Sequence, residues 1–189
     1  MNIELFVFGA IAVVIVGFFL LLVGVSLVEK QPVKEFVPVG PTITVNPSPY
    51  YLAVTDAATR LGFTAAGVFV PNRPQKTYRF HVALFVSPEH DTLLKIAAGK
   101  VAGLPLKKTT LMSCLGNGQT VETSDEPGLP DQSGLTQHEF LLNADLNELW
   151  TLHRNRLTLL PEVRREFTEA NALEAYETTQ MVRVSQLIK

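Results

Sequence analysis

The ten residues Thr77-Tyr78-Arg79-Phe80-His81-Val82-Ala83-Leu84-Phe85-Val86 decide the fold class. In an extended chain Tyr78, Phe80, Val82, Leu84 and Val86 fall on one side and Arg79, His81, Ala83 and Phe85 on the other, the period of two that marks a strand. Upstream, Phe63 to Val70 reads as a second strand, separated from the first by the breaker cluster Pro71-Asn72-Arg73-Pro74. Downstream, Lys108 to Leu115 and Gln119 to Thr123 flank Gly116-Asn117-Gly118. Asn-Gly tolerates the positive φ angles of a tight hairpin, so these two segments pair as neighbours. Hairpin connections between strands imply a mostly antiparallel sheet.

Helices flank the strands. Ser48-Pro49 combines a side-chain cap with proline at the first helical position, after which Tyr51, Val54, Ala58 and Leu61 share a face up to Gly62. Ser87-Pro88-Glu89 has the form of a second helix start that Gly99 would close, yet Thr92 to Val101 fits a strand equally well, and the pattern leaves both open for 88–101. Asn143 is expected to cap a helix with Leu146, Leu149, Trp150, His153 and Leu157 on one stripe. Asp145 and Glu148 come early in it and Arg154 and Arg156 late, as the helix dipole favours. A last helix is expected from Pro161 into the Tyr176 region, carrying Val163, Phe167, Ala170, Leu173 and Tyr176, with helix or strand both open for 178–188. The fold class is therefore α+β: one globular domain with a mostly antiparallel sheet and flanking helices, over residues 48–189.

The remaining N-terminal quarter is different. From Leu5 to Val28 no charged residue occurs, and a helix of some twenty apolar residues covers a hydrocarbon core about 30 Å thick. A cleaved secretory signal has a basic leader and a shorter apolar core, whereas Met1-Asn2-Ile3-Glu4 carries no Lys or Arg. The expected organisation is a short tail over 1–4, a retained transmembrane helix over 5–28, a proline-rich spacer over 29–47 and then the domain. Lys30 and Lys34 follow the apolar run and nothing basic precedes it, which predicts a single-pass protein of the cell membrane with its domain in the cytoplasm. Ala10, Gly17 and Gly24 recur every seven residues. That small-residue stripe is a candidate packing face for a homo-oligomer or a membrane-protein partner.

Charge and cysteine content narrow the functional classes. The chain has 189 residues, with Lys+Arg 16 against Asp+Glu 18, so no broad basic field exists to hold a nucleic-acid backbone. The single cysteine, Cys114, cannot form an intramolecular disulfide. The sequence contains no phosphate-binding glycine loop, nucleophile elbow, zinc cysteine pair or kinase signature, and no catalytic residue, metal or cofactor is assigned.

Two candidate binding groups remain. The loop 123–134 holds Asp125, Glu126 and Asp131 among hydroxyl and turn residues, which supplies hard oxygen donors and a surface of the kind that carries recognition. Arg154 and Arg156, with Arg164 and Arg165 beyond Pro161, form a basic cluster suited to anionic lipid or phosphate. The leading expectation is a membrane-anchored binding module or accessory subunit. The alternatives are an enzyme assembled from Cys114, His138 and the acidic loop, and a sensor of anionic lipid.

Overall fold

The computed structural model describes residues 36–38, 47–71, 78–127, 134–160 and 167–187, the side chains of Val37, Tyr78 and 180–187 excepted. Its core is a six-stranded mixed sheet: β2 (Thr64–Pro71), β3 (Tyr78–Val86), β4 (Leu93–Val101), β5 (Leu104–Cys114), β6 (Thr120–Ser124) and β7 (Thr136–Phe140). A three-residue edge strand, β1 (Phe36–Pro38), extends it, and the strands lie side by side in chain order. All neighbouring pairs are antiparallel except β6 and β7, which run parallel. The sheet is mostly antiparallel, as the hairpin pattern implied. Phe36 to Pro38, inside the proline-rich spacer, pair with Phe69 to Pro71, so part of that stretch runs along the domain.

Three helices complete the layers. α1 (Pro49–Arg60) and α2 (Leu146–Thr158) cover the face that presents Ala83, Phe85, Leu94, Ile96 and Leu111. α3 (Ala172–Leu187) and the segment before it cover the opposite face, where Phe167, Ala172, Ala175 and Tyr176 pack on Val82, Leu84, Val86, Leu93 and Met112. The two sides read from residues 80–86 therefore become the two buried faces of a central strand. α1 begins as its cap predicts, with Ser48 accepting from the Tyr51 amide at 3.2 Å.

Two segments left open between helix and strand are resolved, and two helix starts are revised. Residues 93–101 are strand and not helix: Leu93, Leu94, Ile96, Ala97 and Ala98 are all buried, and a strand covered on both faces reads as a continuous apolar run that periodicity cannot separate from helix. Ser87 caps a turn instead. Its Oγ accepts from the amides of Asp91 (3.3 Å) and Thr92 (3.1 Å), and His90 adopts φ 57°. Asn143 does not cap α2; it turns the chain at φ 59°, and Asp145 is the cap, exchanging bonds with Glu148 in a capping box. The last helix starts at Ala172, so Phe167 precedes it, clamped by His90: the Phe167 amide donates to the His90 carbonyl at 2.7 Å and His90 Nδ1 meets the Phe167 carbonyl at 2.9 Å. Helix then continues to Leu187, its threonines stabilised by back-bonding, Thr178 to Glu174 O and Thr179 to Ala175 O.

No helix among the described residues is long and apolar enough to cross a membrane. The run 5–28, with Ala10, Gly17 and Gly24, lies outside them, as do Asp131, Arg164 and Arg165.

Candidate functional site

A cleft of about 520 Å³ opens where the first turns of α1 and α2 lean over the β5–β6 side of the sheet. Ala53, Val54 and Ala57 of α1 form one wall, and Asn143 to Asn147 the other. Lys107, Thr109 and Asp125 lie at the sheet, and Arg60 and Glu126 at the rim.

A three-residue latch lies along the cleft. Asp125, though drawn from an acidic loop, is buried, at 8 % exposure. Its Oδ1 accepts from the Thr109 amide at 2.8 Å and its Oδ2 from the Tyr50 hydroxyl at 2.9 Å. Tyr50 Oη also lies 2.6 Å from Thr109 Oγ1. Because the single Tyr50 proton goes to Asp125, Thr109 donates to Tyr50, and the three groups form one directed chain ending on the carboxylate. The backbone joins in: the Asp125 amide donates to Thr109 O and its carbonyl accepts from Asn143, both at 3.2 Å. Burial pushes the Asp125 carboxyl up, against the hydrogen bonds from Thr109 and Tyr50 and the nearby Lys108 charge, all of which pull it down. Burial likewise raises the Tyr50 phenol, with the Asp125 and Glu126 charges adding to the rise.

A second polar array crosses the same face beneath α2. His153 is fully buried, with Nε2 3.0 Å from Ser113 Oγ and Nδ1 2.9 Å from Thr123 Oγ1. Ser113 continues to Thr92 at 3.0 Å and Thr92 donates to Asp91 at 2.9 Å; Asp91 is paired with Arg154 at 2.8 Å. On the other side Thr123 accepts from Arg156 Nη1 at 2.8 Å, and Arg156 pairs with Glu139 at 3.1 Å. Donor counting orients the array. Thr92 gives its proton to Asp91, so Ser113 donates to Thr92 and accepts from His153 Nε2–H. Through Nδ1 and Thr123 the array runs on to Arg156, with a guanidinium at that end and the Asp91 carboxylate at the other.

The other sequence candidates fall as follows. Asp125 belongs to the cleft and Glu126 is exposed at its rim. Arg154 faces Asp91 and stacks 5.3 Å from the Trp150 ring. Arg156 reaches into the fold, donating to the carbonyls of Glu122 and, at 2.7 Å, Gln137. Cys114 is half-buried on the α3 face, its Sγ 4.0 Å from Thr179 Oγ1, whereas His153 lies on the other face and His138 Nε2 meets Ser124 Oγ at 2.9 Å. His81 is buried beneath the edge of the Tyr51 ring, 4.8 Å between centroids; desolvation lowers its pKa, and among the described residues its Nε2 has no hydrogen-bond partner. Among the described residues no three His, Cys, Asp or Glu side chains are placed to hold a metal ion.

Sequence reasoning missed Tyr50, Thr109 and Lys107 as cleft residues. Tyr50 follows a readable helix cap, but nothing local signals that its hydroxyl meets a carboxylate 75 residues away. Comparison with family models, curated proteins and solved structures finds no match. The chemistry of the cleft therefore rests on its own residues: a small apolar wall, cations and carboxylates at the rim, and a latch whose donors and acceptors already serve one another.

Proposed function

We propose that this protein is a single-pass, membrane-tethered binding module, its domain on the cytoplasmic side, and that the cleft between α1, the sheet and the start of α2 receives a ligand or a segment of a partner. The observation that carries the reading is the cleft itself, about 520 Å³, which falls in the size range of ligand pockets. Its Ala and Val wall offers apolar contact. Lys107 and Arg60, the latter paired with Asp56 at 2.7 Å, line the cleft together with Glu126 and Asp145, so the fitting ligand has an apolar body and polar groups of both signs. The latch holds the Tyr50 hydroxyl and the Asp125 carboxylate in fixed positions along the cleft, which supports a preformed binding surface. The apolar run 5–28, with Lys30 and Lys34 after it, supports the anchor and the orientation.

The test is native mass spectrometry of the full-length protein extracted from its native membrane in mild detergent, alongside Ala53→Trp, which fills the cleft from an exposed position on its α1 wall. A species that leaves with the wild type and is lost from a folded Ala53→Trp supports the cleft. A species retained equally by both variants, or a wild type that carries nothing, overturns it.

A further inference from the structure

Charge is segregated along this sheet. Strands β2 to β5 contain Arg79, Lys95, Lys100, Lys107 and Lys108 and no carboxylate at all. Three of these cations, Arg79, Lys100 and Lys107, are exposed, and among the described residues none of them is in an ion pair. They are also contiguous. Arg79 is the direct cross-strand partner of Lys100, and Lys100 faces Pro105, two residues from Lys107 on the same side of β5. Like charges directly opposite on a sheet destabilise it, so the Arg79–Lys100 pair favours an anion beside it. At the tip of the same β4–β5 hairpin, Leu104 is 71 % exposed, next to the exposed Ala102 and Gly103.

This end of the sheet is also where the chain arrives. β1 starts at Phe36, opposite Pro71 at the last position of β2, and the β2–β3 connection lies at the same end as the β4–β5 hairpin. Phe36 follows the apolar run by the seven residues 29–35, a covalent reach of about 25 Å when extended. The hairpin tip, residues 102 and 103, extends past the Gly99–Leu106 pair by three residues on each strand, roughly 10 Å at strand rise.

We infer that the β4–β5 hairpin end of the domain docks on the anionic headgroups of the bilayer that holds the anchor, with Leu104 inserted at the interface and Arg79, Lys100 and Lys107 contacting lipid phosphate or carboxylate. This rests on the anchoring in the preceding reading and adds an orientation to it: with the hairpin end at the bilayer, the opposite end of the sheet, with the turn around Glu89, points to the aqueous phase. A membrane is favoured over an acidic protein because the cations flank an apolar tip at the end from which the tether runs, and because each Lys or Arg near an anionic leaflet adds attraction that salt weakens.

The test uses the full-length chain reconstituted in nanodiscs, with Cys114→Ser and Leu104→Cys carrying an environment-sensitive fluorophore, and quencher lipids that report headgroup depth. With anionic lipid the label at position 104 is expected to be quenched. Arg79→Glu, Lys100→Glu and Lys107→Glu together should shift the docking equilibrium toward the undocked state by about a hundredfold or more. A label at the exposed Glu89, in the turn at the other end of the sheet, serves as the undocked reference. A label at 104 that matches this reference while the protein remains in the nanodisc overturns the docking. So does quenching that ignores both lipid charge and the three substitutions. Failure of the chain to incorporate at all overturns the anchoring instead, and carbonate extraction of native membranes distinguishes that case.

Discussion

Replacing Tyr50 by Phe removes one hydroxyl and leaves two groups of the latch short of a partner: Asp125 Oδ2, which it served at 2.9 Å, and Thr109 Oγ1 at 2.6 Å. The cost depends on the charge of Asp125. Its folded pKa is raised by burial, so its contribution to stability is fully present below the unfolded value near 4 and is lost as pH rises through the raised folded value. At low pH, where Asp125 is neutral in both states, Tyr50→Phe loses a neutral hydrogen bond, about 1 kcal/mol. Above the folded pKa it strips a donor from a buried carboxylate, about 2–3 kcal/mol. For a domain of this size each kcal/mol moves Tm by about 2–4 °C. The Tm deficit of the variant is therefore expected to widen from about 3 °C in acid to about 6 °C or more at mildly alkaline pH. Trp150, packed edge-on against Phe63 at 5.0 Å, provides the fluorescence signal in the full-length protein. Asp125→Asn is the control: Oδ1 still accepts from Thr109, Nδ2 donates to Tyr50, and Tyr50 reverses to donate to Thr109, so this variant should fold with a flatter pH profile. A Tyr50→Phe deficit that is equal at both pH values, or larger in acid, would refute the latch.

Three further perturbations probe the rest of the fold. Gly99→Ala should lower the yield of folded protein or Tm by an amount equivalent to about 2 kcal/mol or more, because a Cβ there would lie 2.2 Å from Arg79 O and the backbone sits at φ 146°; thermal unfolding equal to wild type would contradict the close β3–β4 approach. His153→Leu leaves Ser113 and Thr123 each without a ring partner in a dry interior, at a cost of about 2–4 kcal/mol, while His153→Gln, which offers one donor and one acceptor, should recover part of it in a denaturant titration. Arg156→Lys keeps the charge but cannot reach Thr123, Gln137 and Glu139 together; a loss of about 1–2 kcal/mol is expected, and a variant as stable as wild type would show that the fork carries no weight.

The elements legible in the sequence are those whose burial is one-sided or whose boundaries carry side-chain chemistry. The hairpin at Gly116-Asn117-Gly118, the Ser48 cap and the α2 stripe are local patterns with local causes. β4 was ambiguous because the layers on its two faces both bury it, which erases alternation. β7 was missed because Thr136 to Glu139 are polar; β6 pairs with it in parallel and Arg156 holds its Gln137 carbonyl, neither of which its own residues announce. The site was legible in part. Asp125 stood out as a carboxylate in a loop, but the inward turn that makes it a latch depends on Tyr50, a residue with no special neighbours in sequence.

Arg154 and Arg156 show why a cluster of like charges in sequence need not be a surface. They lie on one helix with His153, and the array beneath that helix has a cation at each end: Arg154 pairs with Asp91, which accepts from Thr92, and Arg156 donates to Thr123, which is bonded to the imidazole. Removing either takes a charged partner from this array, a cost borne by stability before any ligand is considered. Among the described residues Arg79, Lys100 and Lys107 are in no ion pair, although Lys107 also lines the cleft. Their neighbours on the sheet are one another, and the strands that carry them contain no acid. Cations in register on adjacent strands, with no acid on the strands that carry them, favour an anion from elsewhere, and the proposed docking on lipid headgroups is one way to supply it.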